Sequence, residues 1–227
     1  VEQLYMNGTP PTDQQVRAPR RRYQAMTKPV FSKPFTQQEA IPEAGIARAV
    51  EIMKTGRLHR YNLLPDEAGE AAALEMEYAK WQGADYCIAC TSGGYAIQLG
   101  LRVCGVKTGD KVLANAYTLA PVPGAIHNVG GVPVLVDIDE SYHIDCDDLD
   151  AKAAASGAKY LLLSYMRGHI PDMDKLLAVC AKYDICLIED CAHTMGAKWR
   201  GIRSGNFGKV AAFSTQTYKH MNSGEGG

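Results

Sequence analysis

The stretch YLLLSYMRGHIPDMDKLLAVCAKYDICLIED, residues 160–190, contains a strand, a helix and a second strand, and it decides the fold. Tyr160–Leu163 is a short apolar run of strand length. Pro171-Asp172 marks a helix start, and the helical period then runs over Met173–Tyr183. A second apolar run, Ile185–Glu189, follows at once. Two short apolar strands joined through a helix form a βαβ unit, whose strands lie parallel and are buried on both faces.

The same alternation extends in both directions. Strands are expected at Tyr86–Ala89, Lys111–Ala114, Val132–Val136 and Val210–Phe213. Helices are expected at Gly94–Cys104, Ala120–Val129 and Asp147–Ser156, with two more upstream, one from Thr36 to Gly56 and one over Asp66–Trp81. The fold class is therefore α/β, a three-layer sandwich around a mainly parallel sheet. Residues 1–35, rich in Pro, Arg and Gln without a sustained period, are expected to form an extended N-terminal arm, leaving 36–227 as the main domain.

Composition narrows the function classes. Twenty-four basic residues oppose 25 acidic ones, for a formal charge of −1, so no strong field points to nucleic acid or an anionic membrane. The one basic cluster, Arg17–Arg22, lies in the arm, where it suits a solvated or subunit-clasping segment better than a nucleic-acid contact. No run reaches the roughly 18 apolar residues of a membrane helix. Seven cysteines are scattered without zinc spacing. Cys87 and Cys90 form an isolated C-x-x-C, so the thiols are expected to be small buried residues of a reduced, cytoplasmic protein with no metal.

In parallel sheets, ligands bind at the carboxyl ends of the strands. Ser92-Gly93-Gly94 opens a helix there, and bare N–H groups at a helix start can receive a phosphate, although a serine-capped turn would read the same way. Tyr117 follows the next strand and could lie on a heteroaromatic ring or simply on a rim. Asp137, Asp139 and Glu140 are expected to be solvated acids at a turn. Ser164–His169 forms a loop able to face substrate. Glu189-Asp190 ends an apolar strand, where acids need partners, and a carboxylate there can hold a pyridine nitrogen protonated. His193 is near enough to reach the same ring or to serve structurally. Finally Phe213-Ser-Thr-Gln-Thr-Tyr-Lys219 places a lysine just past a strand, beside hydroxyls and before a Gly-Glu-Gly-Gly loop, which suits Schiff-base chemistry on a phosphorylated aldehyde.

With these residues collected, the chain resembles the DegT/DnrJ/EryC1/StrS family of sugar aminotransferases over residues 36–227. The resemblance is carried by Pro171-Asp-Met-Asp174, by Ile188-Glu-Asp-Cys-Ala-His-Thr-Met-Gly196, and by Ser214 and Lys219 ahead of Gly224-Glu-Gly-Gly227. It implies a fold type I large domain that uses pyridoxal 5'-phosphate. Lys219 then resembles the lysine that carries the cofactor and shuttles the proton, with Asp190 the acid paired with the pyridine nitrogen. Tyr117 resembles the stacked aromatic, Ser92, Gly93, Gly94 and Ser214 the phosphate cradle, and His193 the residue facing the ring hydroxyl. Substrate contacts are expected from Arg57, Tyr61, Tyr165, Arg167 and His220, and the Arg57–Asn62 loop is expected near a dimer interface.

Departures from the pattern accompany the likeness. Gly94 stands where the family usually has threonine, and Tyr165 where it usually has histidine. The family continues past the Gly-Glu-Gly-Gly loop into a C-terminal small domain, and the present sequence stops at that loop. The resemblance implies a homodimer that moves an amino group from glutamate or glutamine to a nucleotide-linked keto sugar or a keto cyclitol such as an inosose. Two alternatives stand beside it, a keto-deoxysugar dehydratase and a catalytically idle protein of the same fold. The dehydratase branch has histidine in place of the lysine, and Lys219 favours amino transfer.

Overall fold

A computed structural model describes residues 32, 40–61, 63–64 and 69–227. The chain divides into two units, residues 1–37 and 38–227. The expected arm lies outside the described residues apart from position 32, as do the expected helix starts at 36–39 and 66–68 and Asn62 of the expected interface loop.

The described unit begins with two helices, α1 (Glu43–Thr55) and α2 (Glu70–Gln82), each closed by a glycine in the left-handed region, Gly56 and Gly83. Four α/β alternations follow. They comprise α3 (Gly93–Val103), β1 (Lys111–Asn115), α4 (Pro121–Asn128), β2 (Val132–Val136), α5 (Cys146–Ser156), β3 (Tyr160–Ser164), α6 (Met173–Tyr183) and β4 (Cys186–Asp190). A two-stranded hairpin, β5 (Lys198–Trp199) with β6 (Ile202–Arg203), precedes β7 (Val210–Ala212). Asp145 and Asp172 cap α5 and α6, each accepting from two backbone N–H groups of the first turn.

The main sheet has the order β2-β1-β3-β4-β7 and every pairing in it is parallel. The period-two alternation of the strands feeds two separate cores. Leu113, Leu161, Leu163 and Leu187 point to the face covered by α5 and α6. Val112, Ala114, Leu162 and Ile188 point to the face covered by α3 and α4. Burying about 25 cal/mol per Å² of apolar area on both faces holds such a sheet together.

One expected strand is corrected. Tyr86–Ala89 forms no strand, because a strand is defined by a ladder and this backbone finds other partners. The Ala89 N–H donates to Glu75 Oε1 at 2.8 Å, and Arg60 grips the same carboxylate through two hydrogen bonds of 2.7 and 2.8 Å. The Ala89 carbonyl accepts from Arg60 at 3.2 Å, and the next residue, Cys90, exchanges backbone hydrogen bonds with Gly227 at 2.8 and 3.1 Å.

Strand order places the site. From β1 the chain crosses to β2 on one side, while from β3 it crosses to β4 on the other. The carboxyl ends of β1 and β3 therefore flank the topological switch point, where open α/β sheets leave a crevice.

Candidate active site

At the switch point, Asn115 ends β1 and is 2% exposed. Its side-chain N–H₂ donates to the carbonyls of Tyr117 and Ser164, and its oxygen accepts from the Ser164 N–H at 2.9 Å. One amide thus ties two strand ends together. Ser164, so held, donates its hydroxyl to Asp190 Oδ2 at 2.8 Å. The Ala192 N–H donates to Asp190 Oδ1 at 3.1 Å. Burial raises the Asp190 pKa, while the Ser164 and Ala192 donors and the charge of Lys219 act against that rise.

Glu189 and Asp190 are neighbours with different surroundings because adjacent strand residues face opposite ways. Glu189 is fully buried toward α6. It accepts from Tyr165 Oη at 2.6 Å and from the backbone N–H groups of Gly205, Phe207 and Gly208. Asp190 lines a cavity of about 190 Å³ on the other face.

Lys219 enters that cavity from the loop after β7. Its Nζ lies 2.7 Å from His193 Nε2, and the Arg167 backbone N–H donates to His193 Nδ1 at 3.2 Å. Burial lowers the Lys219 pKa, with the Arg167 charge adding to the effect and Asp190 opposing it. Burial first, then the neighbouring Lys219, Arg167 and His220, pull His193 down to about 4.

The opposite wall is the start of α3. Ser92 caps it, accepting from the Tyr95 N–H at 3.1 Å, and the first-turn N–H groups have no acceptor within the helix. Ser214 packs against this helix start. A Cβ on Gly93 would sit 2.8 Å from the Ser214 Cβ, so only glycine permits the approach. Ser92, Gly93, Gly94 and Ser214 all line the same cavity as Asp190, His193 and Lys219.

Other residues singled out in the sequence fall elsewhere. Tyr117 does not line the cavity, and its ring lies against Tyr142 with centroids 5.2 Å apart. The expectation that Tyr165 contacts substrate is corrected. It is 1% exposed, because its hydroxyl is needed by Glu189 inside the core. Tyr61 is 67% exposed, and Arg167 and His220 are exposed, none of them lining the cavity. Arg57 is half-buried beyond α1, with its N–H bonded to the Thr55 hydroxyl. Asn115, and Ser164 as a partner of Asp190 rather than part of a substrate loop, acquire roles that sequence reasoning does not assign. The only signal for them was a polar residue closing an apolar strand.

Among the described residues no group of His, Cys, Asp and Glu is placed to hold a metal, and no helix is long and apolar enough to cross a membrane. The seven cysteines are all free thiols.

A parallel α/β sheet with a bare helix start, a buried carboxylate and a half-buried lysine around a cavity at its switch point is the layout of the class of open α/β sheets with a crevice at their strand ends. Within that class the chain belongs to the DegT/DnrJ/EryC1/StrS aminotransferase family, whose model matches residues 27–227. It is 36% identical over 203 residues to a putative L-glutamine:3-amino-2,3-dideoxy-scyllo-inosose aminotransferase of Micromonospora echinospora, a match covering 88% of this chain and 47% of the relative. The crystal structure of 3-amino-5-hydroxybenzoic acid synthase superposes with a TM-score of 0.77 at 31% identity, covering 85% of this chain and 49% of that one. The pyridoxal-phosphate form of a putative sugar aminotransferase from Streptococcus pneumoniae superposes with a TM-score of 0.74 at 25% identity, covering 86% and 52%. The chain spans under half the length of the curated relatives it matches first.

Proposed function

We propose that this chain carries the cofactor-binding half of an aminotransferase that uses pyridoxal 5'-phosphate. The amino group passes from glutamine or glutamate to the ketone of a sugar or cyclitol. The observation that carries this reading is one cavity lined by Lys219, Asp190 and the α3 helix start. The donor set fits the cofactor's chemistry at three points. Hydroxyls of Ser92 and Ser214 with the helix N–H groups suit a phosphate, the Asp190 carboxylate suits a cationic ring nitrogen, and the Lys219 amine, its pKa lowered by burial, suits an aldehyde. When bound, pyridoxal phosphate supplies an electron sink for the carbanion formed at the donor's α-carbon.

The protein's own residues then have defined tasks. Asp190 keeps the ring nitrogen protonated, with Ser164 and Ala192 holding its two oxygens. Lys219 Nζ would hold the cofactor through its aldehyde carbon and, when free, would move the donor's α-proton. His193, 2.7 Å from Nζ, would face the ring hydroxyl, as the family resemblance implies. Glutamine as donor and an inosose as acceptor follow the printed activities of relatives such as the Micromonospora protein. Lys219 rather than His220 lines the cavity, which favours amino transfer over the dehydratase alternative.

A homodimer is part of the reading. Helix α1 buries none of its residues, and it exposes Ile46, Val50 and Met53, a face suited to a second copy. Seven free thiols suit the reducing cytoplasm. Incubation of the purified protein with pyridoxal phosphate, glutamine and a panel of keto cyclitols and nucleotide-linked keto sugars, followed by mass spectrometry, tests the function. Gain of an amine on one acceptor supports it. Loss of water without nitrogen gain would point to the dehydratase, and no product with any acceptor would leave an idle binding protein.

A further inference from the structure

Arg167 is one of four non-glycine residues with positive φ among those described, at φ 57 and ψ 19. That conformation is uncommon for a side chain of this size, and such outliers gather at functional sites. The Arg167 N–H donates to His193 Nδ1, 3.2 Å away. On the other edge of the ring, Nε2 lies 2.7 Å from Lys219 Nζ.

The direction of both hydrogen bonds follows from elementary bookkeeping. A backbone N–H can only donate, so Nδ1 accepts and carries no proton. A neutral imidazole with a bare Nδ1 has its single proton on Nε2. Nε2 must then donate, and its partner must offer a lone pair. A lysine ammonium has three donors and no lone pair, so the 2.7 Å contact requires the free amine.

We propose that the Arg167 main chain and His193 form a tautomer lock that holds Lys219 as an uncharged nucleophile before the cofactor arrives. This rests on the reading of Lys219 as the cofactor-bearing residue. His193 is a positioning residue here, acting through Lys219. The charged and titratable groups around the pair are Asp190 from β4, Arg167 from the turn after β3, and His220 and Glu225 from the lysine's own loop. Asp190 alone favours the ammonium directly. Burial and the Arg167 charge favour the amine, in line with the downward shift of Lys219.

The lock is read directly by imidazole nitrogen NMR on the cofactor-free, ¹⁵N-labelled full-length protein, with His193 assigned by its loss in His193→Gln. The expected result is a pyridine-like Nδ1 and a pyrrole-like Nε2 at neutral pH. A protonated Nδ1 would overturn the proposal. The second measurement is the rate at which pyridoxal phosphate is captured as a function of pH. In His193→Gln the amide oxygen can accept from an ammonium, which an imidazole protonated at Nε2 cannot. The capture midpoint should move up by about a pH unit, slowing capture at pH 7 about tenfold. A midpoint that stays in place or falls would contradict the lock. Failure of the wild type to capture pyridoxal phosphate at all would refute the proposed function instead, while the NMR result would still judge the tautomer.

Discussion

Glu189 and Asp190 differ by one position and by almost everything else. Their side chains leave opposite faces of β4, so one carboxylate is caged in the core by Tyr165 and three backbone N–H groups while the other opens on the cavity. The sequence shows two acids after an apolar run and requires partners for both, but its pattern points Tyr165 toward substrate, whereas the partner of Tyr165 is Glu189. Nothing local marks a tyrosine as buried when its acceptor lies 24 residues away. Tyr165→Phe removes a hydrogen bond to a buried carboxylate and should destabilise the fold by about 1–3 kcal/mol. Urea denaturation would measure this, with the Michaelis constant for the keto acceptor expected to stay the same. An unchanged unfolding midpoint, or a large change in that constant, would return Tyr165 to the substrate.

At the scale of elements, helices α3 to α6 and strands β1 to β4 were legible within a residue or so, because period and capping agree there. Asp172 before Met173–Tyr183 is the clearest instance. Tyr86–Ala89 was not legible. Its apolar alternation looks like a strand, yet its backbone partners are the Glu75 carboxylate and, from Cys90, the distant Gly227. The start of α3 reads equally as a capped turn or an anion site, and it has the features of both, a Ser92 cap and a cavity wall shared with Ser214. The Gly93 approach makes this testable. Gly93→Ala forces a Cβ to within 2.8 Å of the Ser214 Cβ, so Ser214 must shift. Cofactor affinity should fall at least about tenfold, the cost of one misplaced charge-assisted contact to the phosphate. Titration of pyridoxal phosphate by absorbance would show it, and an unchanged affinity would remove this corner from the phosphate cradle.

At the scale of the whole molecule, stability and site chemistry are linked through pH. Folding lowers the His193 pKa from 6.5 to about 4, so between those values the unfolded chain binds more protons than the folded one. The stability associated with this ring is complete above about pH 6.5 and is lost as pH falls toward 4. Urea midpoints measured across that window should decline in the wild type and decline less in His193→Gln. Equal slopes would mean the imidazole titrates freely. The fold class could be read from the chain alone because alternation is a global pattern, whereas the cavity depends on Asn115 joining two strand ends 49 residues apart. Cofactor chemistry at Lys219 is the claim on which the rest depends. Its most direct test is to mix the protein with pyridoxal phosphate, reduce with borohydride, and map the modified peptide by mass spectrometry. The account predicts a single phosphopyridoxyl group on Lys219, absent in Lys219→Ala together with all amino transfer; a label on another lysine, or full turnover in Lys219→Ala, would contradict it.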